Sequence, residues 1–265
     1  MVAGDPADDL ESELALAIEL ADECDAFTRP VYEARSFTLD WKANRTEVTE
    51  ADRVAEAMIG ERLAVARPAH GLFGEEHGLR GDANSPWRWI VDPIDGTSGF
   101  VRGIPVWATL IALTHRQLGV VVGVVSAPAL GRRWWAARDR GAFADGRRCR
   151  VSDIADIADA QVCVTFSDGW DRLGLTGRLV ELQQRSRRAR GFGDFWQHML
   201  VAEGAVDVAI DAVGVEVYDV AAVRVIVEEA GGVFTDRHGE ATHEHDTAIS
   251  TNGLLHDEVI AHLRG

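Results

Sequence analysis

One run of residues constrains this chain more than any other: Trp89-Ile90-Val91-Asp92-Pro93-Ile94-Asp95-Gly96-Thr97. The stretch from Arg88 to Val91 passes into an apolar run that reads as a buried strand. It then breaks into two carboxylates, a proline, a glycine and a hydroxyl. Asp92 falls at the C-terminal edge of that strand, where open α/β sheets place their ligands. Pro93 fixes φ and stiffens the exit. Gly96 lets the backbone approach a ligand closely, because it has no Cβ. Thr97 stands at a helix start, whose free N–H groups favour an anion. Hard carboxylates beside a phosphate-sized anion site point to Mg2+ rather than zinc.

The rest of the chain limits what such a site can serve. At 265 residues it is long enough for one large domain or two small ones. It is read as a single domain, 1–265, with pseudo-halves of about 1–150 and 151–265. The formal net charge of −16 repels a nucleic-acid backbone and argues against a DNA or RNA partner. An acidic protein can hold a phosphate if bound cations invert the field locally. Lys42 is the only lysine, and arginine supplies nearly all the positive charge. Cys24, Cys149 and Cys163 lack metal-ligand spacing, which suits free buried thiols in a reducing cytoplasm. The first residues are acidic with no basic stretch, so no signal peptide is expected. No apolar run reaches the length of a membrane span.

Periodicity places the elements. Residues 9–28 repeat apolar positions at helical spacing, closed or kinked by Arg29-Pro30. A second helix starts at Thr49, with Asp52 completing a capping-box pattern. Residues 106–113 and 120–128 read as neighbouring strands, and 133–137 and 141–144 continue the sheet, with Asp145-Gly146 as a hairpin turn. Strands follow at 161–166, 206–210, 233–235 and 248–250. Helices are expected at 173–185, 195–203, 219–230 and 254–263, the third ended by Gly231-Gly232. The basic run 185–190 reads as a solvated helix end. His243-Glu244-His245-Asp246 reads as a polar loop rather than a metal site. A strand-rich middle and an alternating tail suggest α/β (α+β) layers in two packed halves.

Asp52, Glu75-Glu76, Asp92/Asp95 and Asp219 stand far apart in sequence, each at an element edge. Any one alone reads as a cap or a solvated turn. Together, four ordered segments resemble the inositol monophosphatase family of Mg2+-dependent phosphatases. They are Val48-Thr49-Glu50-Ala51-Asp52, Gly74-Glu75-Glu76, Trp89 to Thr97 with Phe100, and Tyr218-Asp219-Val220-Ala221-Ala222 through Glu229-Ala230-Gly231-Gly232. The resemblance covers nearly the whole chain.

The resemblance implies a five-layered αβαβα sandwich, commonly a dimer. It implies that Glu75, Asp92, the Ile94 carbonyl, Asp95 and Asp219 hold two or three Mg2+ ions, with Glu76 supporting them from behind. Asp52 and Thr97 would orient and deprotonate the attacking water. Gly96 and Thr97 N–H groups, with Ser98 beside them, would hold the phosphate. Hydrolysis would proceed by in-line attack of metal-activated water, without a phospho-enzyme.

Within the family, the chain is most similar to histidinol-phosphate phosphatases of the actinobacterial type, through segments 101–110, 126–135, 190–195 and 251–258. Asp194 is a substrate-contact candidate by position. The chain departs from the pattern at Ser98-Gly99, where a Lys-Asn pair is usual, at Asn44 in place of an aspartate, and at Tyr218 in place of a tryptophan. Segment 210–216 carries one extra residue, so the family's substrate-contacting Glu falls on Asp211, on Glu216 or on neither. Histidinol phosphate is the expected substrate. Alternatives are a related phosphatase acting on another small metabolite (an inositol phosphate, a nucleoside monophosphate or a specialised-pathway intermediate), one acting on bisphosphorylated sugars or nucleotides, or a non-catalytic binding relative. A cytoplasmic homodimer is expected, with no nucleic-acid or membrane partner.

Overall fold

The computed structural model describes residues 10–42 and 46–264. A long helix, α1 (Leu10–Ala34), leads into a hairpin, β1 (Leu39–Trp41) and β2 (Glu47–Thr49), and then into α2 (Glu50–Ala66). The strands β3 (Gly71–Gly74), β4 (Gly78–Gly81) and β5 (Trp87–Asp95) follow, and a short helix, α3 (Thr97–Arg102). Next come β6 (Ala108–His115), β7 (Gly119–Ala127), β8 (Arg132–Ala137), β9 (Gly141–Ala144) and β10 (Arg147–Arg148). From β3 onward these strands form one eight-stranded sheet in the order β10-β9-β8-β7-β6-β5-β3-β4. Within it only β3 and β5 pair in parallel.

The remainder of the chain builds a second sheet from β11 (Gln161–Val164), β12 (Arg188–Arg190), β13 (Val208–Ile210), β14 (Val233–Thr235) and β15 (Ile249–Thr251), in the order β12-β11-β13-β15-β14. Its helices are α4 (Asp168–Arg172), α5 (Thr176–Arg185), α6 (Asp194–Ala202), α7 (Val217–Glu229) and α8 (His256–Arg264).

Burial sorts these elements into five layers. Leu16, Leu20 and Ile59 of α1 and α2 pack on Trp89, Ile111 and Leu113, one face of the large sheet. Phe195 and Ile226 of α6 and α7 pack on Ile90, Leu110 and Ala112, the other face. Side chains alternate faces along a strand, so a sheet covered on both sides reads as an unbroken apolar run. That is why 108–113 shows no polar alternation. Val201 of α6 meets Cys163 and Ala209 of the small sheet, whose far face buries Val162 and Ile210 under Leu179, Leu182 and Val259. The layering is the αβαβα sandwich that the family resemblance implies. Among the described residues, no helix is long and apolar enough to cross a membrane.

Three local expectations are corrected. Helix α1 runs through Pro30 to Ala34. A proline near a helix end loses one hydrogen bond, and here Tyr32 in the last turns packs on Phe100 and Trp107 at 5.5 and 5.3 Å. Strand β5 does not stop at Asp92 but continues to Asp95, with its register against β6 shifted between those two residues. The bulge accommodates Pro93, which has no N–H to give the ladder. The basic run is not all helix end, because Arg188–Arg190 form an edge strand parallel to β11. The Asp145-Gly146 turn is as expected, with φ of 49° and 79°, the left-handed pair that a two-residue hairpin requires.

Helix α7, which carries Asp219, lies directly on β7. A Cβ at Gly123 would stand 2.5 Å from Val225 Cγ1 and 2.6 Å from the Ala222 carbonyl. Gly123→Ala is therefore expected to wedge helix from sheet and cost roughly 1–3 kcal/mol, read as a lower midpoint in urea. An unchanged midpoint would contradict this packing.

Candidate active site

The site begins with a helix cap. Thr49 precedes α2 in extended conformation; its N–H donates to Asp52 Oδ2 at 2.8 Å and its hydroxyl accepts from Ala51 N–H at 3.1 Å. This capping box fixes a carboxyl group that is fully buried. Its other oxygen, Oδ1, accepts from the Thr97 hydroxyl at 3.1 Å. Thr97 opens α3 immediately after the β5 bulge, and its Oγ1 also lies 3.0 Å from the Ile94 carbonyl. The turn into α3 needs φ of +81° at Gly96, where a Cβ would sit 3.0 Å from the Val106 carbonyl.

Three further carboxylates are each clipped by a backbone N–H. Asp92 Oδ1 accepts from Ile94 at 2.9 Å. Asp95 Oδ2 accepts from Phe195 at the start of α6, at 3.0 Å. Asp219 Oδ2 accepts from Glu216 at the start of α7, at 2.7 Å. The bulge and α7 bring one oxygen from each of these three acids within 4.8 Å of one another. Glu75 follows β3 and reaches Asp92. Lys42 spans the rim, 2.6 Å from Glu75 Oε1 and 2.5 Å from Glu76 Oε1.

Crowding acids in a buried place opposes their ionisation. Asp92 is held well above the usual carboxylate range by burial and by Glu75, Asp95 and Asp219. Asp95 is raised by burial and by Asp194 and Asp219. Burial, with Glu75 and Asp211 adding to it, pushes Asp219 up to about 7. Burial and nearby Glu76 also raise Asp52. For Lys42 burial works against the charge, but Glu75 and Glu76 outweigh it and the ammonium is stabilised. The cluster therefore carries more negative potential than its own cation offsets. Its donors are all hard oxygens, which fits a hard divalent metal.

The profile of the inositol monophosphatase family matches residues 9–265. The chain belongs to the inositol monophosphatase family. It is accordingly a phosphomonoesterase of a metal-dependent group. Histidinol-phosphatase of Mycobacterium tuberculosis is 48% identical over 257 residues, covering 95% of this chain and 97% of that protein. Histidinol-phosphatase of Streptomyces coelicolor is 43% identical, covering 96% and 98%. The crystal structure of the extragenic suppressor protein suhB from Bartonella henselae superposes with a TM-score of 0.87 at 29% identity, over 96% of this chain and 98% of that one.

The positions at which the chain departs from the family pattern are placed as follows. The Ser98 side chain is exposed and held by Arg102, itself paired with Glu47 at 3.0 Å, so its hydroxyl is turned to the surface. A Cβ at Gly99 would meet the Val106 carbonyl at 2.8 Å, so the missing side chain there faces the α3–β6 connection. Tyr218 stacks obliquely on Phe73, centroids 6.2 Å apart. Burial and the negative charges of Glu75 and Asp219 raise its phenol. Asn44 lies outside the described residues. Asp211 and Glu216 are separated: Asp211 is buried beside Asp95, Asp194 and Asp219. Glu216 is exposed and lines an outer cleft of about 670 Å³ with Arg88, His115 and His243. In the 243–246 loop, His245 pairs with Asp236 at 2.9 Å. Asp236 in turn accepts the His238 and Glu240 N–H groups and so closes its own turn.

Sequence reasoning missed Glu56. It lies one helical turn beyond Asp52 and is fully buried. Its carboxylate accepts the N–H groups of Glu76 at 2.6 Å and His77 at 3.0 Å, and Arg80 at 3.2 Å. Glu56 fills the space where a Cβ at Gly74 would fall, 2.2 Å away, and so fixes the turn bearing Glu75. The legible signal was an acid on the apolar face of α2, between Ala55 and Ile59.

The raised acids make a sign prediction for the metal-free protein. Unfolded aspartates ionise near pH 4 and Asp219 near 7 in the fold, so the native state holds more protons between those values. Stability in a chelator must then fall as pH rises from about 4 to about 7. Melting temperatures should be higher at pH 5 than at pH 8, and Asp219→Asn should reduce the difference. A flat or opposite slope, identical in both proteins, would contradict it.

Proposed function

We propose that this chain hydrolyses histidinol phosphate to histidinol and phosphate with Mg2+, two or three ions per site. The observation that carries this is the convergence of Asp92, Asp95 and Asp219 beside the Asp52–Thr97 pair. Near-full-length likeness to histidinol-phosphatases supports the choice of substrate. Glu75, Asp92, the Ile94 carbonyl, Asp95 and Asp219 would hold the metal. Mg2+ bound there would supply charge neutralisation for the phosphoryl oxygens and a lower pKa for a water molecule.

The other roles belong to the protein's own groups. Thr97, donating to Asp52, keeps a lone pair free to hold the attacking water in line and to take its proton as the hydroxyl's own proton passes to Asp52. Asp52 is fixed on its far side by Thr49, so the pair is pre-oriented and can take up that proton. Gly96 and Thr97 N–H groups, at the free start of α3, suit the phosphate. Glu76 supports the site through Lys42, which it shares with Glu75. Asp194 and Asp211 crowd Asp95 from α6 and from the end of β13 and suit the leaving alcohol.

Phosphate release with Mg2+ should be fastest from histidinol phosphate in a panel with inositol 1-phosphate, nucleoside monophosphates and fructose 1,6-bisphosphate. Preference for another member would overturn the substrate, and no release from any would overturn the activity. Asp92→Asn and Asp219→Asn should each lose at least about a hundredfold in kcat while melting no lower than the parent, because each removes a repelled charge. Retained turnover in both would remove these acids from the mechanism. Thr97→Val should lower kcat about 10²-fold or more with KM little changed; a loss confined to KM would contradict its role in orienting water.

A further inference from the structure

His198 has no role in the chemistry so far, yet its ring is held on three sides. It is 1% exposed. Nδ1 is 2.8 Å from Ser250 Oγ on β15, and Nε2 is 3.1 Å from Asp211 Oδ2, just after β13. Phe234 packs obliquely against the ring at 6.3 Å. A carboxylate only accepts, so the Nε2–H donates to Asp211, while Nδ1 is held by the Ser250 hydroxyl.

Asp211 is fixed by more than this bond. Its Oδ1 accepts the Ala212 N–H at 2.7 Å. Its carbonyl accepts from Trp170 Nε1 at 3.0 Å, and its N–H donates to the Ala248 carbonyl at 2.9 Å. His198 is thus the side-chain partner that sets where the Asp211 carboxylate points. Asp194 stands four residues before His198, on the same face of α6, in a left-handed conformation with φ of 48°. It stands close to both Asp211 and Asp95. Among the described residues no lysine or arginine pairs with either acid. Two carboxylates held in place without a lysine or arginine partner complement a group that brings positive charge and N–H donors.

We propose that His198 is a positioning residue for substrate choice, holding Asp211 opposite Asp194 so that the pair selects phosphate esters of cationic amino alcohols. The inference rests on the phosphatase reading of the site. It assigns to α6 a selecting role separate from the metal-binding acids.

The test compares phosphate release from histidinol phosphate, whose alcohol carries an ammonium, with release from inositol 1-phosphate, whose alcohol is neutral. The full chain is assayed with Mg2+, as are His198→Phe, His198→Gln and Ser250→Ala. His198→Phe should lower the ratio of kcat/KM values, histidinol phosphate over inositol 1-phosphate, about tenfold. The change should fall in KM for the amino alcohol ester. His198→Gln, which keeps a donor for Asp211, should recover most of the ratio, and Ser250→Ala should shift it the same way by less. Thermal melts establish folding; if His198→Phe does not fold, the Ser250→Ala shift decides. Equal losses on both esters, or ratios within twofold of the parent, overturn the inference and leave the phosphatase reading intact. A parent active only on the neutral ester does the same. A parent inactive on both removes the phosphatase reading, and this inference with it.

Discussion

The structure is organised around carboxylates that repel one another. Asp92, Asp95 and Asp219 present oxygens within 4.8 Å, and Asp92 and Asp95 are buried. No fold gathers such groups without a compensating device, because each buried charge raises the cost of the next. The device here is the backbone. Each acid accepts an N–H from a different turn: the β5 bulge, the start of α6 and the start of α7. The acids are thereby held still, and the negative potential that remains suits a bound metal cation.

The layers make that arrangement possible. The β5 bulge displaces Asp95 from Asp92 along the strand, so the two acids do not share one face in simple alternation. Helices α6 and α7 are sandwiched between the two sheets, and their first residues point back at β5. Helix α2, on the opposite face of the large sheet, contributes two consecutive turns to the same end of it. Asp52 holds the Thr97 hydroxyl, and Glu56 holds the amides behind Glu75. Capping, which elsewhere merely ends a helix, is used here to orient chemistry: Thr49 with Asp52 and Glu216 with Asp219 are both N-terminal boxes whose acid also faces the site.

Next to Asp95 the surroundings change character. Asp194, Asp211, His198 and Ser250 come from α6 and the small sheet, well away from the metal-binding run in sequence. The acid cluster and these groups meet at Asp95, with α6 and α7 side by side in the middle layer. On the proposed function, the leaving-group side can vary while the phosphate side is retained.

The sequence by itself determined the layered α/β class, most element positions and the acids that would converge. Each of those is local: apolar periodicity, a capping box, a strand breaking into Asp-Pro-Ile-Asp-Gly-Thr. Proximity of Asp52, Glu75, Asp92, Asp95 and Asp219 came from resemblance, since nothing local says that residues 52 and 219 meet. Tertiary structure alone decided the rest. Pro30 did not end α1, because aromatic packing around Tyr32 outweighs one lost hydrogen bond. The strand passed through Pro93, because a bulge absorbs a residue without a donor. Asp211 was separated from Glu216 by the turn into α7, which buries one and exposes the other. Glu56 and His198 act through partners 20 and 13 positions away. A role defined by what a side chain touches across layers has no signature in the order of residues.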